Sequence, residues 1–122
     1  MAVLRPRLAE AGIADAIVKA FSHQGKPYDF EFDFFSSDKL VCTELVYRAY
    51  QGKIRFDLVR VMGRDTLPAL EIVRKFANER ARPNRELDFV AFLDGLPQEG
   101  KAVFSTEEEF CRSADRPRAF NE

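Results

Sequence analysis

The chain has 122 residues, 46% of them hydrophobic and 32% charged, the balance of an ordinary globular domain with enough apolar material for a core. Nineteen Lys and Arg against twenty Asp and Glu leave a formal net charge of −1, so no basic excess points to nucleic acid as a partner. One histidine and two distant cysteines supply neither a structural zinc site nor a disulfide framework. No apolar run nears the ~20 residues of a membrane span, and the N-terminal MAVLRPRLAEAG lacks the pattern of a signal peptide. As written, residues 1–122 read as a single cytoplasmic domain with no membrane span, no metal and no cofactor. No Gly-x-Gly-x-x-Gly occurs, and nucleotide binding through a glycine-rich loop is not expected.

Ala2-Val3-Leu4 ahead of Arg5-Pro6 is a short apolar run closed by proline and reads as a strand. Residues 8–22 read as a helix, with Ile13, Ile17 and Phe21 at four-residue spacing beside Ala16 and Ala20. Gly25 stops it, and Lys19 and His23 sit near its negative end. Tyr28, Phe30, Phe32 and Phe34 then alternate with Asp29, Glu31 and Asp33. That period predicts an extended segment with aromatic side chains inside and acidic ones on a solvated edge. Acids two apart on a straight strand are separated by roughly 6.5–7 Å, too far to share a calcium ion with ~2.4 Å bonds. Ser36-Ser37-Asp38 follow as turn residues.

A second helix is expected from Val41 to about Gln51, ended by Gly52, with Val41, Leu45 and Ala49 on one stripe. A third runs from about Thr66 to Arg80, with Pro68 in its first turn and Ile72, Val73 and Phe76 buried. Leu87–Leu93 is apolar on both faces at its centre and reads as an interior strand, followed by a turn at Asp94-Gly95. Ala102-Val103-Phe104 is a short strand. Ser105, with Glu108 three residues on, forms a capping box for a last helix. The tail from Asp115 is irregular. Helices and strands mix without a regular strand–helix–strand alternation, which makes the class α+β.

The chemistry-bearing candidate is Cys42. It stands at the start of the second helix, where unpaired N–H groups and the dipole favour negative charge. Spacing alone also fits a core cysteine, since Cys42, Val46 and Tyr50 share an apolar stripe. Glu44 in the first turn suits the helix dipole. Cys111, beside Phe110 on a short helix, is expected to be buried and inert.

Gly25-Lys26-Pro27-Tyr28-Asp29 followed by Val41-Cys42-Thr43-Glu44-Leu45-Val46-Tyr47-Arg48-Ala49-Tyr50 resembles the nucleophile region of the YiiX/YebB-like cysteine hydrolases. These are a circularly permuted, NlpC-type branch of the papain-like superfamily. Ala2–Pro6 and Leu87–Leu93 resemble later strands of that fold. The resemblance implies a papain-like fold with the nucleophile helix on a small antiparallel sheet, and Cys42 as nucleophile. Tyr28 matches the tyrosine that precedes the nucleophile, where it helps polarise or bind the substrate carbonyl. Its other reading is a core aromatic of the alternating segment.

In the permuted branch the catalytic histidine lies upstream of the cysteine, in a His-Val/Ile-Gly-type strand, and no such strand is present here. The chain is therefore expected to be the C-terminal part of a larger papain-like domain, or a remnant that no longer catalyses. His23 lies where the resemblance implies no catalytic residue and reads as a solvent-facing histidine at a helix end, with a supporting role as its functional alternative. The implied function is a cysteine hydrolase acting on peptide or cell-envelope amide or ester bonds through a thioester on Cys42. One alternative is an inactive binding module on the same scaffold. Another is a lipid acyl hydrolase or acyltransferase, because lecithin retinol acyltransferase-like enzymes share the permuted arrangement. The expected partner is a peptide, amide or acyl substrate. An upstream signal segment would move the protein to the envelope. A missing part of the fold would uncover Val3, Phe30 and Val90, and the chain would then self-associate.

Overall fold

A computed structural model describes residues 1–30 and 38–117. The chain divides into two compact units, Leu8–Ile72 on one hand and Met1–Arg7 with Val73–Glu122 on the other. The class is α+β, as the mixed pattern predicts. Glu31 to Phe34 of the alternating segment, the Ser36-Ser37 turn and the last five residues of the tail lie outside the described residues.

The Leu8–Ile72 unit holds α1 (Glu10–Phe21), α2 (Cys42–Ala49) and an antiparallel ribbon of β2 (Val59–Val61) and β3 (Arg64–Thr66). Helices α1 and α2 pack together. The face that α1 buries is not its bulky stripe: Ala16 is buried, while Ile17 and Phe21 are 52% and 69% exposed. Gly12, Ala16 and Ala20 recur every fourth residue, and small side chains let another backbone approach closely. A Cβ on Gly12 would stand 4.0 Å from Lys53 Cδ. Lys53 reaches across to pair with Asp15 of α1, and its ammonium holds the Asp15 carboxyl below the usual carboxylate range. Ala49 of α2 and Ile54, Phe56 and Leu67 after it are further buried apolar residues of this unit. Gly52, at φ +81°, takes the left-handed conformation that lets the chain leave α2.

The ribbon is absent from the sequence reading. Thr66 belongs to β3 and not to a helix, and α3 (Ala69–Glu79) starts after Pro68. Three-residue strands carry too few residues for period two to show.

The other unit is built on a three-stranded antiparallel sheet, ordered β1 (Ala2–Pro6), β4 (Leu87–Leu96), β5 (Lys101–Ser105). The pairing of β1 with β4 shifts register between Val3 and Leu4, so that Val3 faces Ala91 and Leu4 faces Phe89. This bulge leaves Val90 as the extra residue. The Phe76 ring lies 5.5 Å from that of Phe110 and 6.3 Å from that of Phe89, and Phe92 lies 5.4 Å from Phe110. These centroid separations are those of well-packed aromatic pairs. Phe76, Phe92 and Phe110 are buried, whereas Ile72 and Val73 are only half-buried.

Two boundaries move from their predicted places. Asp94-Gly95 is not a turn: both residues pair inside β4, opposite Val103 and Ala102, and the chain reverses over Pro97–Gly100. Arg116 holds Asp94 with two bonds of 2.7 and 2.9 Å. The cap of α4 (Glu107–Arg112) is Thr106, whose Oγ1 accepts from the Glu109 N–H at 3.2 Å, while Ser105 remains in β5. Ser105-x-x-Glu108 and Thr106-x-x-Glu109 both fit the capping pattern, and the extra pairing of Ser105 with Phe92 selects the second.

Gly95 to Lys101 does carry the spacing Gly-x-x-x-x-Gly-Lys, but Ala102 stands where a phosphate loop has Ser or Thr. The segment is strand, tight turn and strand, not a loop opening a helix. It offers no phosphate cradle. Val3, Val90 and Phe30, the side chains expected to lack cover, are 44%, 40% and 83% exposed.

Truncating Phe76, which is 2% exposed, to alanine is expected to cost about 3–5 kcal/mol. Thr106→Ala, which removes only a cap, is expected to cost about 1 kcal/mol. Urea denaturation of the two variants beside the parent chain checks both values and their order.

Candidate active site

The chain enters α2 through an extended lead. The Asp29 N–H donates to Leu40 O at 2.9 Å and the Leu40 N–H donates to Pro27 O at 3.0 Å. Tyr28 and Leu40 thus form a parallel bridge, which ties the Gly-x-Pro-Tyr-Asp segment to the residue two before Cys42. At residues 28–30, the described part of the alternating segment, the inward and outward faces are opposite to the expected ones. Asp29 is 1% exposed, while Tyr28 and Phe30 are 46% and 83% exposed, their rings meeting edge to face at 4.9 Å. Hydrophobic alternation predicts that one face is buried, but backbone pairing decides which. Tyr28 is therefore not a core aromatic, and Asp29 is not on a solvated edge.

Val41 is the N-cap of α2, extended at φ −99°, ψ 161°, and 3% exposed. Its aliphatic side chain offers no cap to the first-turn N–H groups. Cys42 is the first helical residue and is exposed, so the apolar stripe through Val46 and Tyr50 does not bury its thiol. Glu44, two residues on, is fully buried. Arg48 donates from Nε to its Oε2 at 2.6 Å, one turn later on the same helix. The other oxygen, Oε1, is buried without a hydrogen-bond partner among the described residues. A buried carboxylate with one strong partner is costly to disturb.

Val41, Cys42 and Thr43 line a pocket of about 580 Å³, whose other walls come from Val61, Met62, Arg64, Thr66, Leu67, Pro68 and Ala69. Most of that lining is apolar, and the positive end of α2 opens onto it. Such a cavity has the size and character of a small-molecule or side-chain site. Its far wall is the start of α3 together with the ribbon, whose short strands show no sequence pattern. The one signal in the sequence is Gly63 after Val59-Arg60-Val61, a weak mark of a turn following a short β-branched run.

Tyr28 and His23 do not line this pocket. His23 follows α1 and is half-buried, not solvent-facing. Its Nδ1 lies 3.1 Å from Lys26 Nζ; an ammonium only donates, so Nδ1 accepts and the ring proton sits on Nε2. Burial first, then the Lys26 and Arg48 cations, push this imidazole below its usual range, against an opposing pull from Glu44. Cys111 is half-buried, and burial pushes its thiol up, with Arg80 pulling the other way and Glu107 and Glu108 adding to the rise.

A family model described as permuted papain-like amidase enzyme, YaeF/YiiX, C92 family, matches residues 1–108. No curated protein and no solved structure matches the chain.

Exposure separates the two thiols. Brief iodoacetamide treatment of the folded protein, followed by peptide mapping, is expected to label Cys42 well before Cys111; labelling of Cys42 only after denaturation would make it a core residue. Arg48→Met is expected to destabilise by about 3 kcal/mol, because it strands a buried carboxylate. Adding Glu44→Gln to Arg48→Met should return part of that loss, which a double-mutant cycle in urea measures.

Proposed function

The chain belongs to the permuted papain-like amidases, and from that premise we propose that it is a cysteine hydrolase whose nucleophile is Cys42. The observation that carries the reading is the placement of one exposed thiol at the first position of α2, on the wall of an apolar pocket. The Cys42 sulfur attacks the carbonyl carbon of an amide and the carbonyl oxygen takes up the negative charge. The N–H groups at the start of α2 are suited to receive that charge, because no side chain of Val41 occupies them. The oxyanion then re-forms the carbonyl as the C–N bond breaks, the amine leaves with the proton given up by the thiol, and the acyl group stays on sulfur as a thioester. Water adds to the thioester, the C–S bond breaks, and the carboxylic acid departs with the thiol restored.

A second reading, a binding module that does not turn over, is favoured by one specific observation. The single histidine of the sequence is engaged with Lys26 and lies off the pocket lining. A thiol needs a base within hydrogen-bond reach for full activation. Turnover of simple amides by these 122 residues is accordingly expected to be slow.

Acyl trapping distinguishes the two readings without requiring turnover. The protein is mixed with a p-nitrophenyl ester and its intact mass is measured. Hydrolase chemistry predicts one acyl adduct on Cys42, released by hydroxylamine and absent from Cys42→Ala; no adduct on Cys42 defeats it. Where hydrolysis is measurable, Cys42→Ala is expected to lower kcat/KM by at least about 10³-fold. His23→Ala is expected to leave it within a few-fold, and an equal collapse would identify His23 as the base. A proton NMR titration should place the His23 midpoint below the ordinary value. A folded-state value depressed in this way disfavours the folded state at acid pH. The His23 share of stability is therefore full above the ordinary histidine range and falls as pH drops through it.

A further inference from the structure

The β2–β3 ribbon closes through Met62 and Gly63, with Val61 and Arg64 as its last facing pair. Both link residues have positive φ, +51° for Met62 and +78° for Gly63, which is the backbone of a primed two-residue hairpin. Gly63 adopts it freely. Met62 does not, since a Cβ in the left-handed region crowds the following carbonyl, and Asn, Asp or Gly normally fills this position. Among the described residues Met62 is the one non-glycine with positive φ. It is also 96% exposed, and Val61 next to it is 45% exposed. One residue thus breaks two local preferences, backbone conformation and solvation, and nothing within the ribbon offsets either.

Departures of this kind concentrate where a protein does its work. Here both Val61 and Met62 are on the wall of the pocket that Cys42 also lines. We propose that Met62, backed by Val61, is a specificity-determining residue that grips an apolar group next to the scissile amide, holding it against Pro68 and Ala69 while Cys42 attacks. This rests on Cys42 being the nucleophile. Methionine suits the task because its unbranched, polarisable side chain fits apolar groups of different shape. Met62 therefore favours apolar substituents while tolerating variety among them.

The test uses Cys42 alkylation by chloroacetamide and its N-butyl and N-hexyl derivatives, read by peptide mapping. The electrophile is constant and only the apolar tail grows. In the parent protein the rates should rise along the series and saturate, with about a threefold to fourfold gain for each methylene the pocket buries. In Met62→Asn the hexyl-to-unsubstituted rate ratio should fall at least about fivefold, the equivalent of one or two methylenes left in water. Its Tm should rise by a few degrees, because asparagine accepts the left-handed turn. Met62→Leu should keep most of the ratio. A flat series in the parent, an undiminished ratio in Met62→Asn, or a Tm that does not rise would each overturn the proposal. Because alkylation needs no turnover, a failure of acyl trapping removes the hydrolase reading by itself and is distinguishable from the loss of this preference.

Discussion

The buried carboxylate of Glu44 is the constraint from which the candidate site follows. Successive residues of a helix are rotated by about 100°, so fixing Glu44 inward, on its bond to Arg48, turns the residue two earlier about 200° away. That residue is Cys42. Its exposure is the geometric complement of the burial of Glu44, and neither can be altered without rolling the helix. A roll would carry the Glu44–Arg48 pair along with it, since both residues are on α2, and would pull the buried Ala49 out of its packing. The bridge between Tyr28 and Leu40 acts on the same helix from its other side, by fixing how the chain enters it. The burial of one face of α2 and the backbone hydrogen bonds at its entry thus orient a single thiol.

Most helices were legible in the sequence, because long periodic segments bury a defined face and end at glycine or proline. α2, α3 and the strands β1, β4 and β5 all fall close to their predicted places. The misses share one physical origin: where two local solutions are nearly equivalent, a distant pairing chooses between them. Thr106 rather than Ser105 caps α4 because β5 claims Ser105. Asp94 and Gly95 continue β4 because Val103 and Ala102 lie opposite them. The orientation of residues 28–30 is set by the pairing with Leu40, more than ten residues away, and α1 turns its small residues inward because a close neighbour requires it. None of these selections is written within the segment it decides.

The site divides in the same manner. Cys42 could be picked out because its helix and the preceding Gly-Lys-Pro-Tyr-Asp string carry a family pattern, and the family match over residues 1–108 agrees with it. The opposite wall could not, because it is assembled from a ribbon whose strands are too short to show alternation. The sequence shows Glu44 as a first-turn acid that suits the helix dipole, and the structure shows it as the buried member of an ion pair. Helical spacing alone permits both, and only packing separates them.

The sheet order leaves β5 at an edge, with a row of backbone donors and acceptors on its outer side among the described strands. Of its five residues only Lys101 is charged, and Phe104 is 80% exposed. Natural edges are usually blunted by inward charges, prolines or covering loops. The opposite edge has one such device, since Pro6 at the end of β1 has no N–H to offer. The two margins of the sheet are therefore unequal as templates. Any growth of this sheet by an added strand, whether from a neighbouring molecule in a concentrated solution or from a partly unfolded copy, begins at β5, and Lys101 is its one built-in gatekeeper.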